Sequence, residues 1–389
     1  SLSAILSKFR PKNRNEKRQK FDSSETNQDF ISNLPTDVIE DILKRLPMTK
    51  VAQMGMLSRR WRDCWLSHRY LTFDDSFWCK HQIAGINDKH DWEMINQKIN
   101  KILSHQNVPV QKFHVHLPND RNQLVAYLSC STWLFKLSKI GVKKMILENL
   151  HKLEDMPFLV FSCKELMKLK INHYTITYLP RDFEGFVHLR SLVLSKIVFG
   201  HGVFRRLLAK CPKLIELRIE WLIGMSHLVL DVPTVEYLTI KGDFDSIDFV
   251  NVQGLKCVSV GFFHPANFFM IDAFLRLASS SKIQIRIIST RTDFGSDHLC
   301  LEYNEFYKSN HLRRVRITGI VGRKIEFNFI EYILTSSIVL GHLLIRVEGV
   351  DILAKANRVR HQVSRASQEH NLKLRETKTK DIDNSVFYM

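Results

Sequence analysis

The stretch ISNLPTDVIEDILKRLPMTKVAQMGMLSRRWRDCW, Ile31 to Trp65, decides how this chain begins to fold. Pro35 stands where a first helical turn has no use for its missing N–H. Asp37, Glu40 and Asp41 follow, toward the helix end whose dipole favours anions. Val38, Ile39, Ile42, Leu43 and Leu46 fall at helical spacing and form one apolar stripe. Pro47 ends that helix, because it pushes residue 46 out of the α region and cannot donate. Thr49 is placed to cap a second helix carrying Val51, Met54 and Met56. Ser58 is placed to cap a third, in which Trp61 and Trp65 sit at i,i+4 on one face. The stretch is shorter than the roughly 40 residues below which a domain needs help to fold. Its stripe must therefore be covered by the rest of the chain or by a partner.

The chain has 389 residues, 44% apolar and 25% charged, enough for a large core and more than one domain. No apolar run approaches the roughly 20 residues of a membrane span. Ser1 to Phe9 lacks the apolar region of a secretory signal. Seven cysteines stand singly at 64, 79, 130, 163, 211, 257 and 300. None has C-x-x-C spacing, so neither a zinc ribbon nor a redox motif is supported, and reduced thiols are expected. The net charge is +17. It points to nucleic acid, to an acidic protein, or to basic flexible ends. Residues 1–29 are polar and without periodicity, and predict a disordered tail. The basic block within them, Arg10, Lys12, Arg14, Lys17, Arg18 and Lys20, is a candidate nuclear localisation signal. A second basic group closes the chain, from Arg358 to Lys380.

Asp91 to Leu103 carries Trp92, Ile95, Ile99, Ile102 and Leu103 at helical spacing, predicting one amphipathic helix. From about residue 110 the pattern becomes L-x-x-L-x-L with apolar substitutes. Val142-x-x-Met145-x-Leu147 is followed by copies starting at Leu166, Leu189, Leu214, Val235 and Leu255. The steps are 24, 23, 25, 21 and 20 residues, in the leucine-rich-repeat range. A weaker copy starts at Val110, with an insertion before the next. Each copy predicts a short strand whose last two apolar residues point inward. One unit cannot bury its own face, so units stack into a solenoid. The Asn or Cys that regular repeats place three residues after the second strand leucine is missing. Leu150, Tyr174, Ile197, Leu222, Asp243 and Phe263 stand there instead, which predicts an irregular solenoid. Gly200 to Lys210 predicts a helix on its convex side.

Ile283 to Ile287 alternates and reads as a further strand. Leu312 to Ile317, a turn at Gly319 and Gly322, the stripe Phe329, Ile330, Ile333 and Leu334, and Leu343 to Val347 then make one β-α-β unit. Ile352, Ala356, Val359 and Val363 predict a following helix. After about Asn371 a disordered tail is expected. Asp293-Phe294-Gly295 spells a kinase motif without its companions and is set aside. No P-loop, H-E-x-x-H, G-x-S-x-G or G-x-G-x-x-G is present. His114 and His116 share a strand face but lack a third metal ligand, which favours a structural role.

Leu34-Pro35, Ile39, Ile42-Leu43, Leu46-Pro47, Val51 and Leu57-Ser58-Arg59-Arg60-Trp61 together resemble the F-box. That family runs L-P, an I-L pair, L-P, an apolar second helix, then S-K/R-R-W. Val315-Arg316-Ile317-Thr318-Gly319, Gly322-Arg323 and Arg365-Ala366-Ser367 resemble the FBD domain that closes many plant F-box proteins, although Gly341-His342 departs from its turn. The chain thus resembles the plant F-box/FBD/leucine-rich-repeat proteins.

The fold expected is α/β: a three-helix F-box, an irregular leucine-rich-repeat solenoid and a C-terminal β-α-β FBD unit. The boundaries expected are 1–29 disordered tail, 30–72 F-box, 73–109 helical linker, 110–308 solenoid, 309–370 FBD and 371–389 disordered tail. The resemblance implies a non-catalytic, cofactor-free substrate receptor of a Skp-cullin-F-box ubiquitin ligase, nuclear, cytoplasmic or both. Leu34, Pro35, Val38, Ile39, Ile42, Leu43, Leu46, Pro47, Val51, Leu57 and Trp61 would bind a Skp-type adaptor and through it a cullin. A target protein of unknown identity would be held by the repeats and the FBD. Neither membrane nor nucleic acid is the expected partner. The competing reading is a basic repeat scaffold that binds nucleic acid or an acidic protein with no ligase role.

Overall fold

In a computed structural model of the chain, the repeat copies are strands of one parallel sheet. The structure describes residues 31–74, 89–117, 123–149, 153–262 apart from single positions, and, beyond these, mainly five strands and a helical turn. The motif's first apolar residue is buried just before its strand, as at Leu166, Leu189, Leu214, Val235 and Leu255. The next two point inward from β3 (Val142–Asn149), β5 (Lys168–Asn172), β7 (Ser191–Ser195), β9 (Glu216–Glu220), β11 (Tyr237–Lys241) and β13 (Cys257–Phe262). Equivalent residues are Cα partners: Met145, Leu169, Leu192, Leu217, Leu238 and Val258 form one row. Leu147, Ile171, Leu194, Ile219, Ile240 and Val260 form the second. Both rows are buried. A register slip of one residue would turn every one of these side chains to solvent.

The sheet is longer than the repeats alone. Its order is β1-β2-β3-β5-β7-β9-β11-β13-β14-β15-β16. It starts with β1 (Tyr70–Phe73) and β2 (Val110–Leu117), and ends with β14 (Gln284–Ser289), β15 (Arg314–Ile320) and β16 (His342–Val347). Leu71 pairs with Phe113 and Phe113 with Met145, so the inner row begins 39 residues before the stretch expected to open the solenoid. Strand β1 lies at the end of the stretch read as F-box, and the helix expected over Asp91 to Leu103 is present. Tyr70–Phe73 is the first strand, and helix α4 (Lys89–Ser104) connects it to β2. The insertion after Val110 holds helix α5 (Gln123–Ile140). Trp133 of α5 is fully buried, and its Nε1 donates to Asn96 Oδ1 of α4 at 2.9 Å.

Main-chain geometry replaces the missing Asn ladder. His173, Lys196 and Trp221, each one residue past its strand, adopt positive φ of 69°, 50° and 59°, and Gly242 continues the series at 142°. This left-handed residue turns the chain off the sheet. Its N–H donates to the next turn: His173 N to Ser195 O, Lys196 N to Glu220 O, Trp221 N to Lys241 O, at 2.7–2.8 Å. Tyr174, Ile197 and Leu222, where regular repeats carry Asn or Cys, are then buried as apolar side chains. Leu150, Asp243 and Phe263 lie outside the described residues. A non-glycine residue in this region costs roughly 1–2 kcal/mol. Lys196 is exposed, so Lys196→Gly is expected to raise unfolding free energy by about 0.5–1 kcal/mol, net of glycine's greater chain entropy. Urea denaturation checks this, and an unchanged or lower midpoint counts against it.

The spacing of the copies reports what lies on the reverse side. The 25-residue step holds helix α6 (Val203–Ala209), and the 24-residue step a 3-10 turn (Phe158–Ser162). The 21- and 20-residue steps hold strands β10 (His227–Asp231) and β12 (Ser246–Asn251), paired in parallel. A strand advances about 3.3 Å per residue and an α-helix 1.5 Å, so a strand recrosses the same width with fewer residues. The short strands β4 (Glu154–Asp155), β6 (Tyr174–Ile176) and β8 (Val198–Phe199) form a second small parallel sheet.

At the C-terminal end β15 and β16 pair in parallel, Val315 with Leu343 and Ile317 with Ile345. Ile330, Glu331, Ile333 and Leu334 between them are helical, with the three apolar residues buried. The helix expected over Ile352, Ala356, Val359 and Val363 lies outside the described residues. The expected disordered end is corrected in part: β17 (Arg375–Lys378) and β18 (Ser385–Tyr388) pair antiparallel, and β18 lies beside β16.

Candidate adaptor-docking site

Three helices precede the sheet: α1 (Thr36–Lys44), α2 (Met48–Met54) and α3 (Arg59–Leu66). Pro35 and Pro47 occupy the cap positions of α1 and α2, both extended and neither giving a side-chain cap. Thr49 therefore does not cap α2, because the helix has already begun at Met48. Ser58 does cap α3: its Oγ accepts from Trp61 N at 3.4 Å. Asp37 lies in the first turn of α1 and Lys44 in the last, both favourable to the dipole.

The apolar stripe divides into two populations. Ile39, Ile42, Leu43, Val51, Trp61 and Cys64 form a small core of their own. Ile39, Leu43 and Val51 are 0% exposed and Ile42 5%. Of the residues expected to meet an adaptor, Ile39, Ile42, Leu43, Val51 and Trp61 are therefore enclosed in the module's own core. Leu34, Val38, Leu46 and Met54 are half-buried against that core. Pro35 and Pro47 are exposed. Met56, not among the expected site residues, is 77% exposed, and Ile31 43%. Met56 is expected on the second helix with Val51 and Met54, but that helix ends at Met54 with Gly55 as its cap, which leaves Met56 beyond it. Leu57 lies outside the described residues, as do Arg10, Lys12, Arg14, Lys17, Arg18 and Lys20.

Trp61 closes the module. Its ring is 2% exposed, and its Nε1 donates to Ile31 O at 3.0 Å, tying α3 to the segment before α1. Arg60 Nη2 donates to Thr36 Oγ1 at 3.3 Å. Trp65 has the other role. It touches both the small core and the large core of the sheet domain, while Trp61 belongs to the first alone. Gly55 makes room for it: a Cβ there would lie 2.6 Å from Trp65 Cδ1. Met48 joins the large core, and Gln106 Nε2 donates to Leu66 O at 2.9 Å. The module is thus seated on the sheet through α2 and the end of α3. The rim formed by Leu34, Pro35, Val38, Leu46 and Pro47 stays outside the core.

Among the described residues, no group of three His, Cys, Asp or Glu is placed to hold a metal. Nor, among the described residues, is any helix long and apolar enough to cross a membrane. Cys130, Cys163 and Cys211 are buried, and burial pushes their thiols up to about 12, so they pack as small apolar groups. His114 Nε2 lies 3.0 Å from Glu148 Oε2, and Lys170 Nζ donates to Glu148 Oε1 at 2.5 Å.

The hydrogen bond from His114 comes first among the causes, with Lys170 beside it, and together they hold the Glu148 carboxyl down to about 2. A carboxylate with a lowered folded-state pKa contributes stability above its ordinary value near 4.5, and loses it as the pH falls toward 2. Glu148→Gln is expected to cost about 1–2 kcal/mol at pH 7, discounted for partial exposure, and almost nothing near pH 2. Urea midpoints of both proteins at pH 7, 4 and 2.5 check this. A difference that does not shrink with acid would remove the ion-pair account.

Two family models match the chain. Residues 31–73 match the F-box domain, and residues 130–258 match the leucine-rich repeats of FBD-associated F-box protein At5g56370. The three helices and β1 fall within the first match, and the central strands within the second. The chain is therefore related to the plant F-box/FBD/leucine-rich-repeat proteins. It is 29% identical over 243 residues to the F-box/FBD/LRR-repeat protein At1g13570 of Arabidopsis thaliana, covering 60% of this chain and 54% of that one. With At2g04230 of the same organism, also an F-box/FBD/LRR-repeat protein, it shares 26% over 280 residues, 67% and 59% of the two chains. With the putative F-box/LRR-repeat protein At3g44810, also of Arabidopsis, it shares 30% over 224 residues, 54% and 49%. The chain spans about half the length of the curated relatives it matches.

Proposed function

We propose that this chain is a non-catalytic substrate receptor of a Skp-cullin-F-box ubiquitin ligase. The three-helix module is the F-box, and its rim docks a Skp-type adaptor that brings the cullin. The sheet with its changing reverse side is an irregular leucine-rich-repeat solenoid, closed by a β-α-β FBD unit, and these hold the target protein. The observation that carries the reading is the F-box match over residues 31–73. Its apolar stripe supplies both a self-sufficient core and an outer apolar rim, and an apolar rim bordered by charge marks a protein partner. A stable docking would bury on the order of 1,200–2,000 Å² in total.

The mechanism is proximity. Anchoring receptor and ubiquitin donor in one assembly turns a bimolecular encounter into a local one and raises effective concentration. The chain itself then needs no catalytic group. Co-purification of the expressed chain with a Skp-type adaptor tests the reading. Failure of the wild-type chain to capture any adaptor would end it and bring the basic-scaffold alternative forward.

Nuclear entry through the basic block at 10–20 belongs to the same proposal. A reporter fused to residues 1–29 is expected to accumulate in the nucleus. One that stays outside would leave the block as a solvated tail.

A further inference from the structure

The outward positions of the first repeat strands form a row of three lysines. Lys112 on β2 is the Cα partner of Lys144 on β3, and Lys144 is the partner of Lys168 on β5. Their inward neighbours Phe113, Met145 and Leu169 are buried, so strand alternation turns the three lysines to the opposite face. Lys168 is exposed, and Lys112 and Lys144 are partly so. Adjacent strands lie about 4.8 Å apart, so the row stacks like charges where each pair destabilises the sheet. Burial first, then the neighbouring Lys144, push the Lys112 ammonium below its ordinary range, against the opposing pull of Asp74 and Glu148.

The nearby carboxylates are committed elsewhere. Glu148 uses one oxygen on His114 and the other on Lys170. Glu216, two strands beyond Lys168, accepts from Ser191 Oγ and from Arg218 Nε, each at 2.8 Å. No ion-pair partner of Lys112, Lys144 or Lys168 exists among the described residues. Asp74 and Glu148 act on Lys112 from nearby, and Glu216 feels Lys168, but none of them forms an ion pair with the row, so a row of cations at fixed spacing is relieved by an anionic ligand that lies across the strands.

We propose that the row Lys112–Lys144–Lys168 binds an acidic peptide segment, a run of consecutive Asp or Glu residues, in the protein presented for ubiquitination. An extended peptide turns alternate side chains to one face about 6.6 Å apart, so two acidic residues at i and i+2 lie within the roughly 9.6 Å spanned by the three lysines. Charge complementarity of this kind sets specificity and association rate, and it weakens with salt. Carboxylates fit the point charges of lysine without demanding the planar fork that arginine offers. The target class rests on the substrate-receptor reading; the binding surface does not.

The test uses the whole chain and a fluorescein-labelled peptide of six glutamates flanked by glycine, with a six-glutamine peptide as control, read by anisotropy. The chain is expected to bind the glutamate peptide at least tenfold more tightly than the glutamine peptide at 50 mM salt, and more weakly at 200 mM. Lys112→Gln, Lys144→Gln and Lys168→Gln together should lower that affinity at least tenfold. The same charge removed elsewhere, by Lys139→Gln, Lys164→Gln and Lys213→Gln, should leave it within twofold. Because the first triple relieves repulsion, its melting temperature should not fall. Lys144→Glu alone, a second route to the same loss, guards against misfolding of the triple.

Equal losses in both triples would make the binding a net-charge effect and overturn the proposal. So would a single-stranded oligonucleotide of six phosphates that binds more tightly through the same three lysines. Adaptor capture, measured on the same preparations, separates the two readings. Lost adaptor binding with retained peptide binding removes only the ligase role, and the converse removes only the lysine row.

Discussion

Leu34→Ala and Pro35→Ala introduced together should abolish adaptor capture while the sheet domain melts as in wild type. The expected loss of affinity is on the order of 30-fold or more, the level of an interface hot spot. The two residues belong to the rim: Leu34 is half-buried on the module core and Pro35 is exposed. The core beneath, from Ile39 to Trp61, stays intact. The seat on the sheet, through Met48, Trp65 and Gln106, lies elsewhere. A pull-down with purified adaptor, beside a thermal melt, separates lost contact from lost fold. Trp61→Ala supplies the contrast. It removes a ring that is 2% exposed together with its hydrogen bond to Ile31, and should cost about 3–5 kcal/mol and unfold the module. If the rim pair binds adaptor as well as wild type, the docking surface is not this rim.

Leu217→Ala should cost about 2–5 kcal/mol, because a fully buried leucine is lost from a row that cannot close over the gap. Leu217 is 0% exposed, and its partners Leu192 and Leu238 are fixed by strand register on both sides. Each turn of the sheet touches only its neighbours, so the loss weakens two interfaces at once. Thr239→Ala, at an outward position one strand over, should change stability by no more than about 0.5 kcal/mol. Denaturant midpoints of the two variants make the comparison. Similar costs for both would mean that the two faces of the sheet are not distinguished as described.

Much of the fold was legible in the chain because its signals are local and repeated. The L-x-x-L-x-L copies place β3, β5, β7, β9, β11 and β13, and the apolar pattern from Gly200 to Lys210 marks the helix α6. The proline positions and the Ser58 cap mark the three N-terminal helices. Two elements escaped for physical reasons. Tyr70–Phe73 offers only Leu71 and Phe73 to the interior, and its strand character comes from β2, forty residues away. Gln123–Ile140 carries apolar residues around most of its circumference, Phe135 among them on the exposed side, so no amphipathic stripe announces it.

The sequence by itself determined that Leu34 to Trp61 carries more apolar surface than so short a segment can hide, and that the repeats stack. Only the tertiary structure decided which of those residues are core and which are rim. Ile39 and Val38 are adjacent and chemically alike, yet one is fully enclosed and the other half-open. Helical spacing defines a face but not what covers it. The lysine row follows the same logic. Lys112, Lys144 and Lys168 are 32 and 24 residues apart in the chain. Parallel register alone brings them side by side, because hydrogen bonding between strands fixes which residues become neighbours.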